Sequence, residues 1–139
     1  MTNKNTQLNF NFCKELLYKI AEEQTNVSKE EIFSKNKTRV VADVRRVIIK
    51  ILKTTFPESY ISALGKTVFR NHPNSSIQLK KHDDLFFSDA AYIKSFNKIN
   101  DEFLKTYKTH SITDLYTMRD SLEEKIKTTN TIIHKLENE

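Results

Sequence analysis

Eleven Lys and Arg residues lie between Ser34 and His82 against two acids, Asp43 and Glu58, so this stretch carries +9. The chain of 139 residues nets +5, which leaves everything outside the window at −4. Clustered ammonium and guanidinium groups do one kind of chemistry well: they hold polyanions, Arg with paired donors and Lys as a point charge. Lys35, Lys37, Arg39, Arg45 and Arg46 crowd the predicted entry to a helix, where the macrodipole is already positive. An external anion relieves that conflict, and a nucleic-acid backbone is the polyanion that such a helical unit fits.

Other chemistries fare poorly. His82, Asp83, Asp84 and Asp89 are metal-ligating types, but adjacent helical residues point to different faces and no Cys/His set accompanies them. No metal is expected. Asp83 and Asp84 instead mark the edge of the basic surface. His110 and His134 stand alone, and no Ser/His/Asp or paired-carboxylate spacing occurs. Gly65 is the single glycine, so neither a P-loop nor a dinucleotide fingerprint can be written. The expectation is a non-enzymatic protein with no cofactor and no small-molecule substrate.

The elements that must position the cations read as helices. One Gly and two Pro in 139 residues leave few turns that need positive φ. The spacing predicts a first helix from Leu8 to about Gln24, with Phe12, Leu16, Leu17 and Ile20 inside. Ser28-Lys-Glu-Glu31 is a capping box that opens a short second helix to about Phe33. Thr38 caps a third, running to about Thr54, with Val40, Val44, Val47, Ile48, Ile51 and Leu52 as its buried stripe. Its charged face carries Arg39, Asp43, Arg46, Lys50 and Lys53. Pro57 starts a fourth helix whose inner face is Tyr60, Ile61 and Leu64. A fifth, from about Asn71 to His82, presents its N-terminal end.

The last third is expected to form a helix from about Asp89 through Ala91, Tyr92, Phe96, Ile99, Phe103 and Tyr107. A break follows at Thr109–Thr113, capped by Ser111 or Thr113. The final helix then either packs back as a hairpin or pairs with a second copy. Its heptad seam is Leu115, Met118, Leu122, Lys125, Thr129, Ile132 and Leu136. Phe86 and Phe87, side by side, make a partner surface conceivable; the other aromatics, at helical spacing, are read as core. The organisation is therefore residues 1–27 as an N-terminal helix packing on the core, 28–87 as the DNA-binding domain, and 88–139 as a helical extension.

Cys13 has no partner cysteine and sits beside Phe12 and Leu16, so a buried thiol in a reducing compartment is expected. No leader pattern or membrane-length apolar run is present, which points to a cytoplasmic, nucleoid- or phage-DNA-associated protein.

The run from Ile32 to about Phe103 resembles the C-terminal DNA-binding domain of the bacterial replication initiator DnaA. It is closer to the small stand-alone versions carried by phages and mobile elements. The resemblance rests on Ser34-Lys-Asn-Lys-Thr-Arg39 followed by Ala42 and Arg45, and on Phe69-Arg-Asn-His-Pro-Asn-Ser75 followed by Lys80-Lys-His82. His82-Asp-Asp-Leu85, Asp89 and Tyr92 extend it. It implies an all-α bundle built on a helix-turn-helix of the Trp-repressor and DnaA type, binding double-stranded DNA.

By that resemblance Lys35, Lys37, Thr38 and Arg39 form the minor-groove and backbone loop. Arg45, Lys66 and Arg70 contact phosphate, and Asn71, His72, Pro73 and Asn74 face base edges, with Ser75, Lys80 and Lys81 also among the DNA-binding residues. Asn71 stands where the family has Asp and favours adenine over cytosine. Pro73 and Asn74 replace hydroxyl residues, and Ser75 replaces Val. A role in origin marking or transcription regulation is implied, without ATPase activity. The competing expectation is an adaptor module that kept the scaffold and lost specific DNA readout.

Overall fold

The computed structural model describes residues 4–69 and 75–138, with side chains placed throughout these spans except at residues 4–8 and 111–115. Six helices follow in order: α1 (Lys4–Thr25), α2 (Lys29–Ile32), α3 (Arg39–Thr55), α4 (Ile61–Gly65), α5 (Ser75–Ser88) and α6 (Ala90–Glu137). There is no strand among the described residues, and the chain is all-α. It divides into two units, residues 1–104 and residues 105–139, with the boundary inside α6. No described helix is long and apolar enough to cross a membrane.

Short-range chemistry sets the first turns. The capping box forms: Ser28 Oγ accepts from the Glu31 N–H at 3.2 Å, while Glu31 Oε1 accepts from the Ser28 N–H at 3.4 Å. Asn26 ends α1 at φ 61°, a left-handed conformation that Asn tolerates better than most residues. Cys13 is fully buried, and burial pushes its thiol up to about 12. Leu17 and Ile20 are buried as expected, with Tyr18 and Ala21 beside them. The Tyr18 hydroxyl donates to the Thr67 carbonyl at 2.5 Å, fastening α1 to the segment after α4.

Helix α3 is the hub of the first unit, packing against α1, α2, α4 and α5. Being surrounded, it does not keep the single buried stripe of an ordinary amphipathic helix. Val44, Val47, Ile48, Ile51 and Leu52 are inside as predicted, but so are Val41 and Ile49, and Val40 is 55% exposed in the first turn. The charged face is also covered: Asp43 and Arg46 are buried and pair at 2.9 Å. The pair lies inside the fold, while Arg39 on the same face stays exposed and meets Asp43 at 3.5 Å.

Two further corrections concern chain direction. Pro57 does not open α4, which starts at Ile61 with Tyr60 as its N-cap. The Pro57 and Ser59 carbonyls instead accept from Lys53 Nζ at 2.8 and 3.2 Å, which holds residues 57–59 as a turn. Tyr60 is 82% exposed rather than part of an inner face. The break expected at Thr109–Thr113 is absent, since α6 runs through it as one helix. There the Thr109 hydroxyl donates to the Lys105 carbonyl at 3.0 Å, a back-bond that fits a hydroxyl residue into a helix interior.

Truncation on α3 separates the two views of this helix. Ile49→Ala is expected to cost about 2–5 kcal/mol, as for a buried aliphatic residue. Val40→Ala should stay within ~0.5 kcal/mol. Urea unfolding midpoints measure both.

Candidate functional site

The expected loop of cations exists, and its geometry is set by one side chain. Arg45, 6% exposed, reaches back from α3 to the end of α2 and the loop beyond it. Its Nε–H donates to the Ile32 carbonyl at 2.7 Å and Nη1 to the Asn36 carbonyl at 2.7 Å. Nη2 donates to the Ser34 carbonyl at 2.7 Å and to the Glu31 carbonyl at 3.2 Å. The guanidinium also lies over the Phe69 ring, 5.7 Å from its centre. Arg45 was expected to contact phosphate; in the folded chain its donors are engaged by backbone carbonyls, so its role is corrected to holding the loop. Carbonyls at a helix C-terminus lack intrahelical donors and carry partial negative charge, which is why a buried guanidinium is stable there.

The loop has its own turns. Ser34 Oγ accepts from the Asn36 N–H at 3.1 Å, and Asn36 Oδ1 accepts from the Thr38 N–H at 2.8 Å. Thr38 then takes the N-cap position of α3 with an extended backbone, although its hydroxyl makes no cap bond. Lys35 and Lys37 are thus exposed on an ordered loop.

Beside this loop lies an open cleft of about 530 Å³, lined by Phe33, Ser34, Lys35, Lys37, Ala42, Arg45, Arg46, Phe69, Gln78 and Lys81. It joins the loop, α3 and α5. Five of its ten residues are cations and none is an acid. Four of the sequence-derived site residues, Lys35, Lys37, Arg45 and Lys81, are brought together here.

The others go elsewhere. Arg39 is exposed but faces acids: it pairs with Asp89 and, at 3.5 Å, with Asp43. The Asp89 hydrogen bond, with the charges of both acids, holds the guanidinium more firmly protonated than usual. Asp89 is engaged in turn at the start of α6, where its Oδ1 accepts from the Tyr92 N–H at 3.0 Å. That backbone bond, with Arg39, lowers its carboxyl below the usual range. Ser75 is buried, and its hydroxyl donates to the Ile61 carbonyl at 2.6 Å, so it ties α5 to α4. Lys66 and Lys80 are exposed but do not line the cleft. Arg70, Asn71, His72, Pro73 and Asn74 lie outside the described residues.

Sequence reasoning missed Gln78, and it counted Arg46 among the helix-entry cations without placing it in the site. Arg46 Nε donates to Gln78 Oε1 at 3.1 Å while Nη1 holds Asp43, so the pair fixes α5 across α3. Further along α5, His82 is buried with Nδ1 2.6 Å from the Tyr92 hydroxyl, and it packs against Phe86 and Phe96. Burial, reinforced by the nearby Lys50 and Arg46 charges and opposed by Asp83, lowers the His82 pKa to about 4. It is a neutral structural histidine. Among the described residues no group of His, Cys, Asp or Glu could hold a metal ion.

Comparison with known proteins finds no matching family model, no similar curated protein and no similar solved structure.

Two measurements check this geometry. Arg45→Lys keeps the charge but cannot reach four carbonyls at once. Hydrogen exchange at residues 34–38 should quicken, and stability should fall by on the order of 2–3 kcal/mol, as for lost hydrogen bonds to a charged group. The His82 prediction concerns pH. The unfolded chain takes up a proton near 6.5 and the folded chain only near 4. Stability from neutral His82 is therefore complete above 6.5 and declines as pH falls from 6.5 toward 4. In urea titrations His82→Gln should lose less stability than the parent between pH 7 and 5.

Proposed function

We propose that this protein binds duplex DNA, gripping the phosphate backbone through the cleft between the 33–38 loop and α5. The single observation carrying this reading is a concave surface of five cations with no acid on its lining. Three of them, Lys35, Lys37 and Lys81, are solvent-exposed. Buried Arg45, with carbonyl partners, adds positive potential without competing for the ligand. Phosphate contacts of this kind set position and affinity, while sequence is read by other groups at base edges.

The helix-turn-helix reading assigns base contact to Asn71, His72, Pro73 and Asn74, the residues immediately before α5. Under that reading α5 is the recognition helix, with Lys81 on the backbone beside the groove. Gln78, within the cleft, joins the phosphate-facing set. The resemblance to stand-alone DnaA-type domains supports origin marking or transcriptional regulation as the process served. Base readout by Asn71 in place of the family's Asp directs it to a site other than the DnaA box.

The test is salt dependence of binding to a short duplex, followed by fluorescence anisotropy. Each phosphate contact contributes a log–log slope of about −0.9. Lys35→Gln, Lys37→Gln and Lys81→Gln should each weaken binding on every sequence and flatten the slope by up to about 0.9. Lys66→Gln should change both less. Absence of any shift at low salt would remove DNA binding and return the adaptor reading.

A further inference from the structure

The cleft between the 33–38 loop and α5 has an apolar lining that phosphate binding leaves unused. Phe33, Ala42 and Phe69 line it and are half-buried. Phe33 packs edge-on against Tyr18 with ring centres 5.7 Å apart, and Phe69 lies beneath the Arg45 guanidinium. Each ring is therefore anchored by a neighbour, yet neither is sealed from the cleft. Apolar surface left in contact with water is unfavourable, and a bare phosphate does nothing to cover it.

The polar groups around that surface are donors. Lys35, Lys37 and Lys81 are exposed and make no ion pair among the described residues. Gln78 Oε1 accepts from Arg46 Nε at 3.1 Å. That bond fixes which way round the amide sits, because an amide nitrogen is only a donor. Its two N–H groups have no partner among the described residues. The Ser34 hydroxyl is occupied within its own loop, donating to the Glu31 carbonyl at 2.6 Å and accepting from the Asn36 N–H at 3.1 Å. A ligand that matches this lining joins acceptor oxygens to a flat body with an apolar face.

Size selects the part of DNA that does so. A cleft of about 530 Å³ lies in the range of roughly 300–1,000 Å³ that takes one small organic molecule, and a duplex does not enter it. Paired bases show only their edges in the grooves, so intact DNA brings phosphates to the rim and nothing to the rings. An unpaired nucleotide brings both a phosphate and a base whose face stacks on aromatic side chains. We infer that the cleft holds one unstacked nucleotide of the bound DNA, its base against Phe33 and Phe69 and its phosphates on Lys35, Lys37 and Lys81. The inference rests on the reading of this cleft as the DNA site, and it makes the preferred ligand a duplex that carries an unpaired nucleotide. Extruding a base from intact DNA costs unpairing and unstacking energy that a strand already single does not demand.

The test measures the full chain by fluorescence anisotropy against a blunt duplex, the same duplex with a short single-stranded tail, and one whose tail has sugars and phosphates but no bases. The tailed duplex should bind about tenfold tighter than the blunt one, the effect of a single stacked base. The abasic tail should lose that advantage at unchanged charge. Phe33→Leu and Phe69→Leu keep the lining apolar but remove the π-face, and each should shrink the ratio of tailed to blunt affinity. Equal affinity for blunt and tailed duplexes, an abasic tail that binds as well as the normal one, or a ratio unmoved by both substitutions would each overturn the inference. Blunt-duplex binding that still weakens in the Lys35→Gln, Lys37→Gln and Lys81→Gln chains would leave the duplex reading standing. Tail binding without any blunt-duplex binding would do the reverse, and no binding to any of these DNAs would remove both.

Discussion

A buried guanidinium with no carboxylate beside it organises this protein. Arg45 is held by carbonyls of Glu31 and Ile32, at the end of α2, and of Ser34 and Asn36, in the stretch joining α2 to α3. Taking a charge out of water costs several kcal/mol unless hydrogen bonds replace its hydration. Here four acceptors do so, two at the end of α2 and two in the loop that follows it. Burial lowers the proton affinity of the group, yet an arginine remains charged in any protein environment. One interaction therefore does two things: it fixes a loop with no secondary structure of its own, and it leaves a positive charge in the cleft floor. Lys35 and Lys37 can face outward only because the backbone between them is tied inward.

The opposite wall is fixed by a second set of buried polar contacts that balances its own charge. Asp43 neutralises Arg46, Arg46 grips Gln78, and His82 meets the Tyr92 hydroxyl. Among the described residues, no buried side-chain polar atom lacks a hydrogen-bond partner. Such networks are costly when incomplete and specifying when complete. α5 could slide along α3 on apolar contacts alone; Gln78, held by Arg46, allows it one register, and His82 ties α5 to the start of α6 through Tyr92. Lys81, one residue before His82, is carried to the cleft rim by that register.

How much of this was legible follows from the range of each interaction. The Ser28 capping box, the buried Cys13 and the Thr38 start of α3 are local, and the sequence showed them. Val40, Asp43 and Arg46 were misplaced because periodicity assumes one covered face, whereas α3 is packed by four neighbours. Thr109 to Thr113 read as a break because hydroxyl residues favour caps, but Thr109 can instead bond back to Lys105 within the helix. Arg45 was unreadable in principle. A carbonyl cage and a phosphate both satisfy the same donors, and only the fold decides which is within reach. Arg70, which the resemblance assigns to phosphate, and Asn71, His72, Pro73 and Asn74, which it assigns to base edges, lie outside the described residues, so the helix-turn-helix assignment rests on the resemblance alone.

The basic block is therefore a poorer guide than its net charge suggests, and the fold shows why. Of the cations from Ser34 to His82, Arg45 faces carbonyls, Arg46 faces Asp43, and Arg39 faces Asp89. Lys53 caps the 57–59 turn and Lys50 lies 3.9 Å from Asp83. Among the described residues, Lys35, Lys37, Lys66, Lys80 and Lys81 make no such pair. Charges separated by more than about 8–10 Å at physiological salt are largely screened from one another, so isolated lysines on a surface amount to little. Lys35, Lys37 and Lys81 differ from Lys66 and Lys80 in lining one concavity. Its low-dielectric walls and buried Arg45 make their fields add. Lys35, Lys37 and Lys81 are thus the uncompensated cations that share a rim, whereas Arg39, Arg45, Arg46, Lys50 and Lys53 are engaged within α3 and its neighbours.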